Sequence, residues 1–530
     1  MSFIASIHTY GQGEMDAFML SRNDQMGTAR GIAMGGAFGA LGGEITGVAQ
    51  NPAGIGVYRS SELVTTLGFM SNNIETNTAG FKSPESKFKF AFDNVGYVGY
   101  TPLSDNVFKS FNFGFSYNRL KNFDRNYTMS GKDIRSSLSD YMAAISNGIH
   151  EYDLGIVDDN TEYYNPYREK GLPWLGILGY NVYNRNDGFN GIINNVPGKE
   201  DQYESIWPKD DYIVENYLNV SERGHIESYD FTIGTSVQNK LYLGATFSIT
   251  DIKHRISSLY TEDFVPVVSG ATTGFDLDNW SETTGSGYQL SIGAIFKPHD
   301  ILRLGLAYHS PTWYNIQNSR SGNLIADLPG WNHSWEGHAP DDNDIAVTDY
   351  KLNTPDRWVA SVAAILGTKA IVSIDYEYTD FGKMKLKDMD GFGYAGDNDF
   401  IKEDFKGAST LKAGIEYRVT PQLSVRAGYS WAQSPLEKDF KDGKREVAIG
   451  INSTIPHFTL EGDASTFSYG LGYRFTPQFY MDVAFSFKSQ TDELYAFSPV
   501  WEDGVEIVSV TPSKFKNDTY KGLLTLGYKF

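Results

Sequence analysis

His309 and Ser310 are the two neighbours in this sequence that would make a base and a nucleophile if their side chains could meet. They close the passage LRLGLAYHSP, where Leu302, Leu304, Leu306 and Tyr308 alternate with Arg303, Gly305, Ala307 and His309. Alternation of that kind is a strand, and neighbours along a strand point to opposite faces, so the pair cannot form a catalytic couple. His333 and His338 share a loop with Asp341, Asp342 and Asp344, which could bind a metal but reads more simply as a solvated acidic loop. The acidic, glycine-rich DMDGFGYAGDND (388–399) misses the calcium-loop spacing. No residue is therefore assigned to catalysis, to a metal or to a cofactor, and a non-enzymatic role is expected. Other charges carry more weight. Arg303, Lys412 and Arg426 fall on the polar side of their strands, as do Asp375, Glu377 and Glu416. A carboxylate ligand needs a cation beside apolar surface, which makes Arg303, Arg426 and Lys412 the ligand candidates. The competing use is cross-strand ion pairing that braces the wall.

The elements that must position these residues repeat along the chain. In FNFGFSYNR, Phe111, Phe113, Phe115 and Tyr117 lie on one face and Asn112, Gly114, Ser116 and Asn118 on the other. YDFTIGTSV, LYLGATFSI and FYMDVAFSF repeat the pattern. Fourteen such segments start near residues 62, 87, 108, 228, 241, 287, 301, 357, 370, 409, 423, 465, 478 and 518. Every second connection is tiny (PLSDN, QNK, KPHD, GTK, TPQ, TPQ), and the others are long and polar. Short turns on one side and long loops on the other describe an all-β, antiparallel up-and-down barrel spanning an outer membrane. A soluble sandwich also alternates, but it would expose a charged face and would not sort its loops this way. Tyrosines near segment ends (Tyr97, Tyr100, Tyr308, Tyr417, Tyr429, Tyr473, Tyr528) suit an interfacial girdle, and YKGLLTLGYKF closes the chain on an aromatic strand. The longest loop, about 122–227, carries a helix signal in DIRSSLSDYMAAISNGI, with Ile134, Leu138, Met142 and Ile145 on one side, and reads as an extracellular cap.

Composition agrees. Of 530 residues, 34 are Tyr, 33 Phe and 54 Gly, a mixture that fits strands and turns better than helices. Mean hydropathy is −0.36, and no stretch is long and apolar enough for a membrane helix. A net charge of −20 argues against a nucleic-acid partner. The absence of cysteine excludes disulfides, thiolate metal sites and a cysteine nucleophile. Residues 1–12, from MSFIASIHTYGQ, read as the tail of a signal peptide or as a disordered N-terminus.

Residues 13–60 are unlike the rest. RGIAMGGAFGALGGEITGVAQNPAGIGVY (30–58) spaces Gly31, Gly35, Gly39, Gly43 and Gly47 four apart, with Glu44 its only charge after Arg30. Glycine, Glu44 and Pro52 rule out a membrane helix, and no βαβ unit supports a dinucleotide loop. Fourteen strands enclose a lumen that must leak or be plugged. This segment, directly before the first strand of the barrel (61–530), can thread it. Gly31, Gly35, Gly39 and Gly43 are expected against the inner wall, and Asn51, Pro52 and Ala53 at a rigid corner. In the second strand, FKFAFDNVGYVGY, the apolar register switches at Asp93-Asn94, and Gly96 and Gly99 follow, so a bulge and disturbed pairing are expected within residues 90–115.

NPAGIG after the glycine-rich lead, together with LRLGLAYHSP, TPDRW (354–358), IDYEYTDF (374–381), VRAGYSWAQSP (425–435) and the C-terminal strand, resembles the FadL/TodX family of outer-membrane hydrophobic-compound transporters. The resemblance implies a fourteen-stranded barrel with an N-terminal hatch in a Gram-negative outer membrane. It also implies passive passage of fatty acids or aromatic hydrocarbons through the lumen and sideways through a gap in the wall, for which the register switch makes Asp93, Asn94, Gly96 and Gly99 the candidates. Membrane lipid and a hydrophobic small molecule are then the expected partners. The long loop after strand three departs from that pattern. The alternative is a plugged barrel serving as a non-transporting scaffold of a larger envelope machine, with protein partners at its extracellular loops or periplasmic side.

Overall fold

The computed structural model describes residues 13–158, 163–182, 191–330, 333–340, 344–441 and 453–530. The expectation for residues 1–12 lies outside these, as do Asp341 and Asp342. Fourteen antiparallel strands form the wall. They are β1 Glu62–Thr78, β2 Phe81–Pro102, β3 Phe108–Asn122, β4 Tyr212–Val237, β5 Leu241–Pro266, β6 Thr273–Phe296 and β7 Leu302–His309. They continue as β8 Arg357–Leu366, β9 Ala370–Asp380, β10 Gly407–Arg418, β11 Leu423–Ala432, β12 Ala464–Arg474, β13 Phe479–Tyr495 and β14 Ser513–Lys529. β14 pairs with β1 from Lys529–Glu62 to Lys514–Asn77, which closes the barrel. Each alternating segment of the sequence is one of these strands.

Exposure follows the alternation. Phe111, Phe113 and Phe115 are 45%, 44% and 40% exposed on the outside, while Asn112 between them is 0% exposed inside. An apolar exterior and a polar interior on strands hydrogen-bonded into a closed ring is the strand solution to crossing a bilayer.

Strand boundaries depart from the sequence reading on the loop side. β2 begins at Phe81, not near 87, so a two-residue turn at Ala79-Gly80 replaces the long first loop. β4 begins at Tyr212, not near 228, and pairs there with a strand at Arg125–Lys132, so the long loop is shorter than 122–227. Among the described residues, twenty strands share the sheet, and the six beyond the wall extend it above the membrane. Up there both faces of a strand are wet or covered by protein, so the contrast that marks a spanning segment disappears.

The N-terminal segment runs through α1 (Glu14–Ser21), α2 (Ala29–Ala33), α3 (Ile45–Gln50) and a 3-10 turn at Pro52–Val57. Between β3 and β4 the cap contains α4 (Leu138–Ser146), which starts at Ser137 because a capping box with Asp140 fixes it there. Leu138 and Met142 are fully buried, and Trp207 stacks on Phe264 of β5 at 4.0 Å between ring centres. A single buried cluster links this cap to β1, β4, β5, β6 and the loop before β14, across the extracellular mouth.

Candidate functional site

The N-terminal segment lies inside the barrel and touches the wall nearly all the way round its lower half. Glycines are its contact points. Gly39 donates its N–H to Asp375 Oδ2 of β9 at 2.8 Å, and a Cβ there would overlap Ser361 Oγ of β8. Gly35 adopts φ +64° against Ala413 O of β10 and the Tyr429 backbone of β11, each 2.8 Å from where a Cβ would stand. Gly31 and Gly43 differ from expectation: Gly31 faces Thr46, and Gly43 faces Val57, both within the segment itself. The reason is that the chain folds back on itself, with Gly43 N–H bonded to Gly54 O at 3.0 Å, so only part of the glycine row can face outward.

Asn51 holds the joint. Its Nδ2 donates to Gly39 O at 2.7 Å and to Ala294 O of β6 at 3.2 Å, and its Oδ1 accepts from Ala53 N–H at 3.1 Å. Pro52 opens the 3-10 turn, where a missing N–H costs nothing, and Ala53 packs without exposure against Tyr242 and Ile295. The wall answers with glycines of its own. Gly244, Gly293, Gly305, Gly414 and Gly428 each face the segment so closely that a Cβ would overlap Pro52 O, Asn51 Oδ1, Gly39 O, Met34 O or Gly35 N respectively. Sequence reasoning missed this seat. Each glycine stands at a lumen-side position, but that they share one depth is visible only once the register sets Gly244 opposite both Gly234 and Gly293, and Gly414 opposite Gly428.

The three cations proposed for a ligand are all engaged by protein. Arg426 gives Nε to Glu416 at 2.6 Å and Nη1 to Asp482, while Arg30 of α2 forks onto the same Glu416 at 2.9 and 3.1 Å. Lys412 bonds Glu377 at 2.9 Å, with Arg357 3.6 Å from the same oxygen. Arg303 donates to Leu41 O of the N-terminal segment. Arg426 and Lys412 are ion-paired and brace wall to wall, because a buried charge inside a barrel is stable only when paired. Arg303 braces wall to segment through a carbonyl and has no carboxylate partner among the described residues. His309 also serves the joint. Its Nε2 lies 3.0 Å from Gln50 O, which can only accept, so that nitrogen carries the proton and Nδ1 accepts from Ser291 Oγ at 2.8 Å. The serine that His309 meets is across the strand pair, not Ser310, whose Oγ takes the Leu290 N–H.

Above this seat lies a cavity of about 270 Å³, lined by hydroxyl and amide side chains such as Ser291, Thr312 and Asn118 and by charged ones, among them Arg119, Arg357 and Lys412. Asn118 also marks a break in the wall. β2 pairs with β3 only from Asn94–Asn118 down to Pro102–Ser110; from Phe81 to Asp93 it has β1 alone as a ladder partner. The β1 register slips at the same place, Thr66 facing Asn94 and Leu67 facing Phe92, so Asp93 is the extra residue of a bulge and both Asp93 and Asn94 point inward. Asn94 Nδ2 bonds Asn118 Oδ1 at 2.6 Å, and Asn118 Nδ2 bonds Asp230 at 2.7 Å. Gly96 and Gly99 are not part of the break. They lie in unbroken ladder, where Gly96 makes room for Ile45 of α3 and Gly99 for the Phe113 ring.

A family model for outer membrane protein transport proteins (OMPP1/FadL/TodX) matches residues 225–498. A 47 kDa outer membrane protein of Pasteurella multocida is 26% identical over 201 residues, which cover 38% of this chain and 43% of that protein. The chain thus aligns with less than half the length of this relative. A crystal structure of a Pseudomonas aeruginosa FadL homologue superposes with a TM-score of 0.52 at 14% identity, covering 96% of this chain and 99% of that one. That of the Pseudomonas putida toluene transporter TodX gives 0.48 at 13% identity, covering 95% and 99%.

Proposed function

Because the chain belongs to the OMPP1/FadL/TodX family of outer membrane transport proteins, we propose that it is a passive channel for small hydrophobic molecules, with lateral exit between β2 and β3. One observation carries this reading: the β2–β3 ladder stops at Asn94–Asn118, and Asn118 belongs both to that edge and to the lumen cavity. The seated N-terminal segment closes the straight route to the periplasm, so cargo in the cavity leaves through the wall into the bilayer. No residue breaks or forms a bond in this process; the protein supplies a path and a cavity.

Deleting Asp93 tests it. Removing the one bulged residue leaves Phe92 outside and Asn94 inside in a single continuous alternation, so the strand can extend its pairing without turning an apolar side chain inward. Uptake of a hydrophobic fluorophore into proteoliposomes is expected to fall to the level of protein-free vesicles, with the barrel still folded by gel mobility. Undiminished uptake by the folded deletion variant rejects the lateral route.

A second reading, a non-transporting scaffold in an envelope assembly, draws on the buried cap core that roofs the extracellular mouth. Gentle extraction followed by mass spectrometry separates the two. A stoichiometric protein partner with no small-molecule ligand supports the scaffold.

A further inference from the structure

A second, smaller cavity lies beyond α1 from the first. Met15, Asp16 and Met19 of α1 form part of its wall, whereas Leu20 and Ser21 border the larger cavity, so this short helix is the partition. The volume is about 170 Å³. A cavity of roughly 150 Å³ has room for one benzene ring, so a single aromatic ring fits here, between walls that are polar as well as apolar. His457 faces it. This residue is 8% exposed, and neither ring nitrogen has a hydrogen-bond partner. Its ring stands edge-on to Tyr127 at 6.4 Å. Burial pushes its pKa down to about 4, so the imidazole is neutral and offers one N–H and one lone pair. A buried polar group left unpaired is costly, and such groups call for a partner that the protein itself does not provide.

The other walls select among ligand classes. Arg125 gives Nε and Nη2 to Glu222 at 2.8 Å, and the second oxygen of Glu222 meets His254 Nε2 at 3.3 Å. Asp16 brings a second carboxyl. Glu461, paired with Arg22, adds a third. Three carboxyls therefore line a cavity whose one lining guanidinium is already engaged, and an anionic ligand finds no spare cation there. Asn318 spends its Nδ2 on Ser281 and Thr283, both at 2.9 Å. Met15, Met19, Ile455 and Phe458 supply apolar and polarisable surface for a ring.

We propose that this cavity binds one neutral aromatic ring bearing a hydroxyl, a phenol in chemical class, whose O–H donates to the unprotonated nitrogen of His457. An aromatic hydrocarbon fits the volume but leaves His457 unpaired. An aromatic carboxylate adds an anion beside Glu222 and Asp16. The inference rests on the channel reading above and narrows its cargo.

The full chain in lipid nanodiscs, free of detergent that could enter the lumen, is titrated with p-cresol, toluene and p-toluate by calorimetry. One saturable site for p-cresol is expected, about tenfold tighter than toluene or p-toluate, as one hydrogen bond to a buried group implies. His457→Leu should lower p-cresol to the affinity of toluene, and His457→Gln, which keeps a donor and an acceptor, should restore part of the preference. Met15→Trp should fill the cavity and abolish binding of both rings. Absence of saturable p-cresol binding, a preference unchanged in a folded His457→Leu variant, or tightest binding of p-toluate overturns the assignment. Toluene entry into proteoliposomes is measured on the same preparations. Entry without a His457-dependent p-cresol preference defeats this inference alone; a His457-dependent preference without any entry supports the site and defeats the channel.

Discussion

At Gly39 a single added methyl decides between fit and collision, because Ser361 and Asp375 occupy the space a Cβ would need. Gly39→Val is expected to overpack the seat at a cost of about 1–3 kcal/mol, read as a lower temperature for loss of the compact band on a gel. Glu262 sets a different residue-scale test, outside the membrane. It accepts from Ser137 Oγ at 2.5 Å, Tyr260 Oη at 2.6 Å and the Leu138 N–H at 2.8 Å, at the start of α4. Burial outweighs these donors and pushes its pKa up from 4.5 to about 7. The folded cap then holds this proton more tightly than the unfolded chain does. Its stabilising share is complete below about pH 4.5 and is lost as pH rises through about 7. Limited proteolysis of the cap should accordingly be slower at pH 5 than at pH 8, and Glu262→Gln should flatten that difference. The carboxylate's neighbours were beyond the reach of the sequence, since Ser137 and Glu262 lie 125 residues apart.

The N-terminal segment is the element expected to close the lumen. Its internal helices are short, and α2 and α3 cannot stand alone; they are held by Glu44 and Thr28 caps and by the wall. Deleting residues 27–56 removes both the segment and the partners of Arg303, Glu416 and Asp375. The deleted barrel is expected to conduct ions in a planar bilayer and to admit small polar solutes to cells, both more than the intact chain. A variant that inserts but conducts no better than the intact chain would show that the lumen is closed elsewhere, by the cap. The glycine spacing announced a segment built for close approach. Which glycines touch the wall was not legible, because the fold-back between Gly43 and Gly54 is a tertiary choice.

For the whole molecule, the sorting of connections fixes sidedness. Both ends of the wall, Glu62 and Lys529, lie on the side of the short turns, and the cap lies on the other. Short turns are periplasmic in outer-membrane barrels, so the cap should face the medium. An epitope inserted at Gly198, a turn residue with open space around it, should be labelled on intact cells. Labelling only after lysis would invert this topology.

The number of wall strands and the alternation of their faces follow from the sequence alone, because a wall between lipid and a polar lumen imposes an alternation that each segment carries locally, as Phe111 to Tyr117 do. The tertiary structure decided what the sequence leaves degenerate. For Arg426 and Lys412 the sequence left ligand binding and cross-strand ion pairing both open, and the register decided by setting Glu416 and Glu377 beside them. Gly96 and Gly99 looked like weak points of the wall until one was found under Ile45 and the other under Phe113. His457 carries no signal in its own segment; only the meeting of α1, β4, β5 and the loop before β12 leaves it buried without a partner. Alternation is a property of neighbours in the chain. Pairing, seating and cavities are properties of residues that only closure of the barrel brings together.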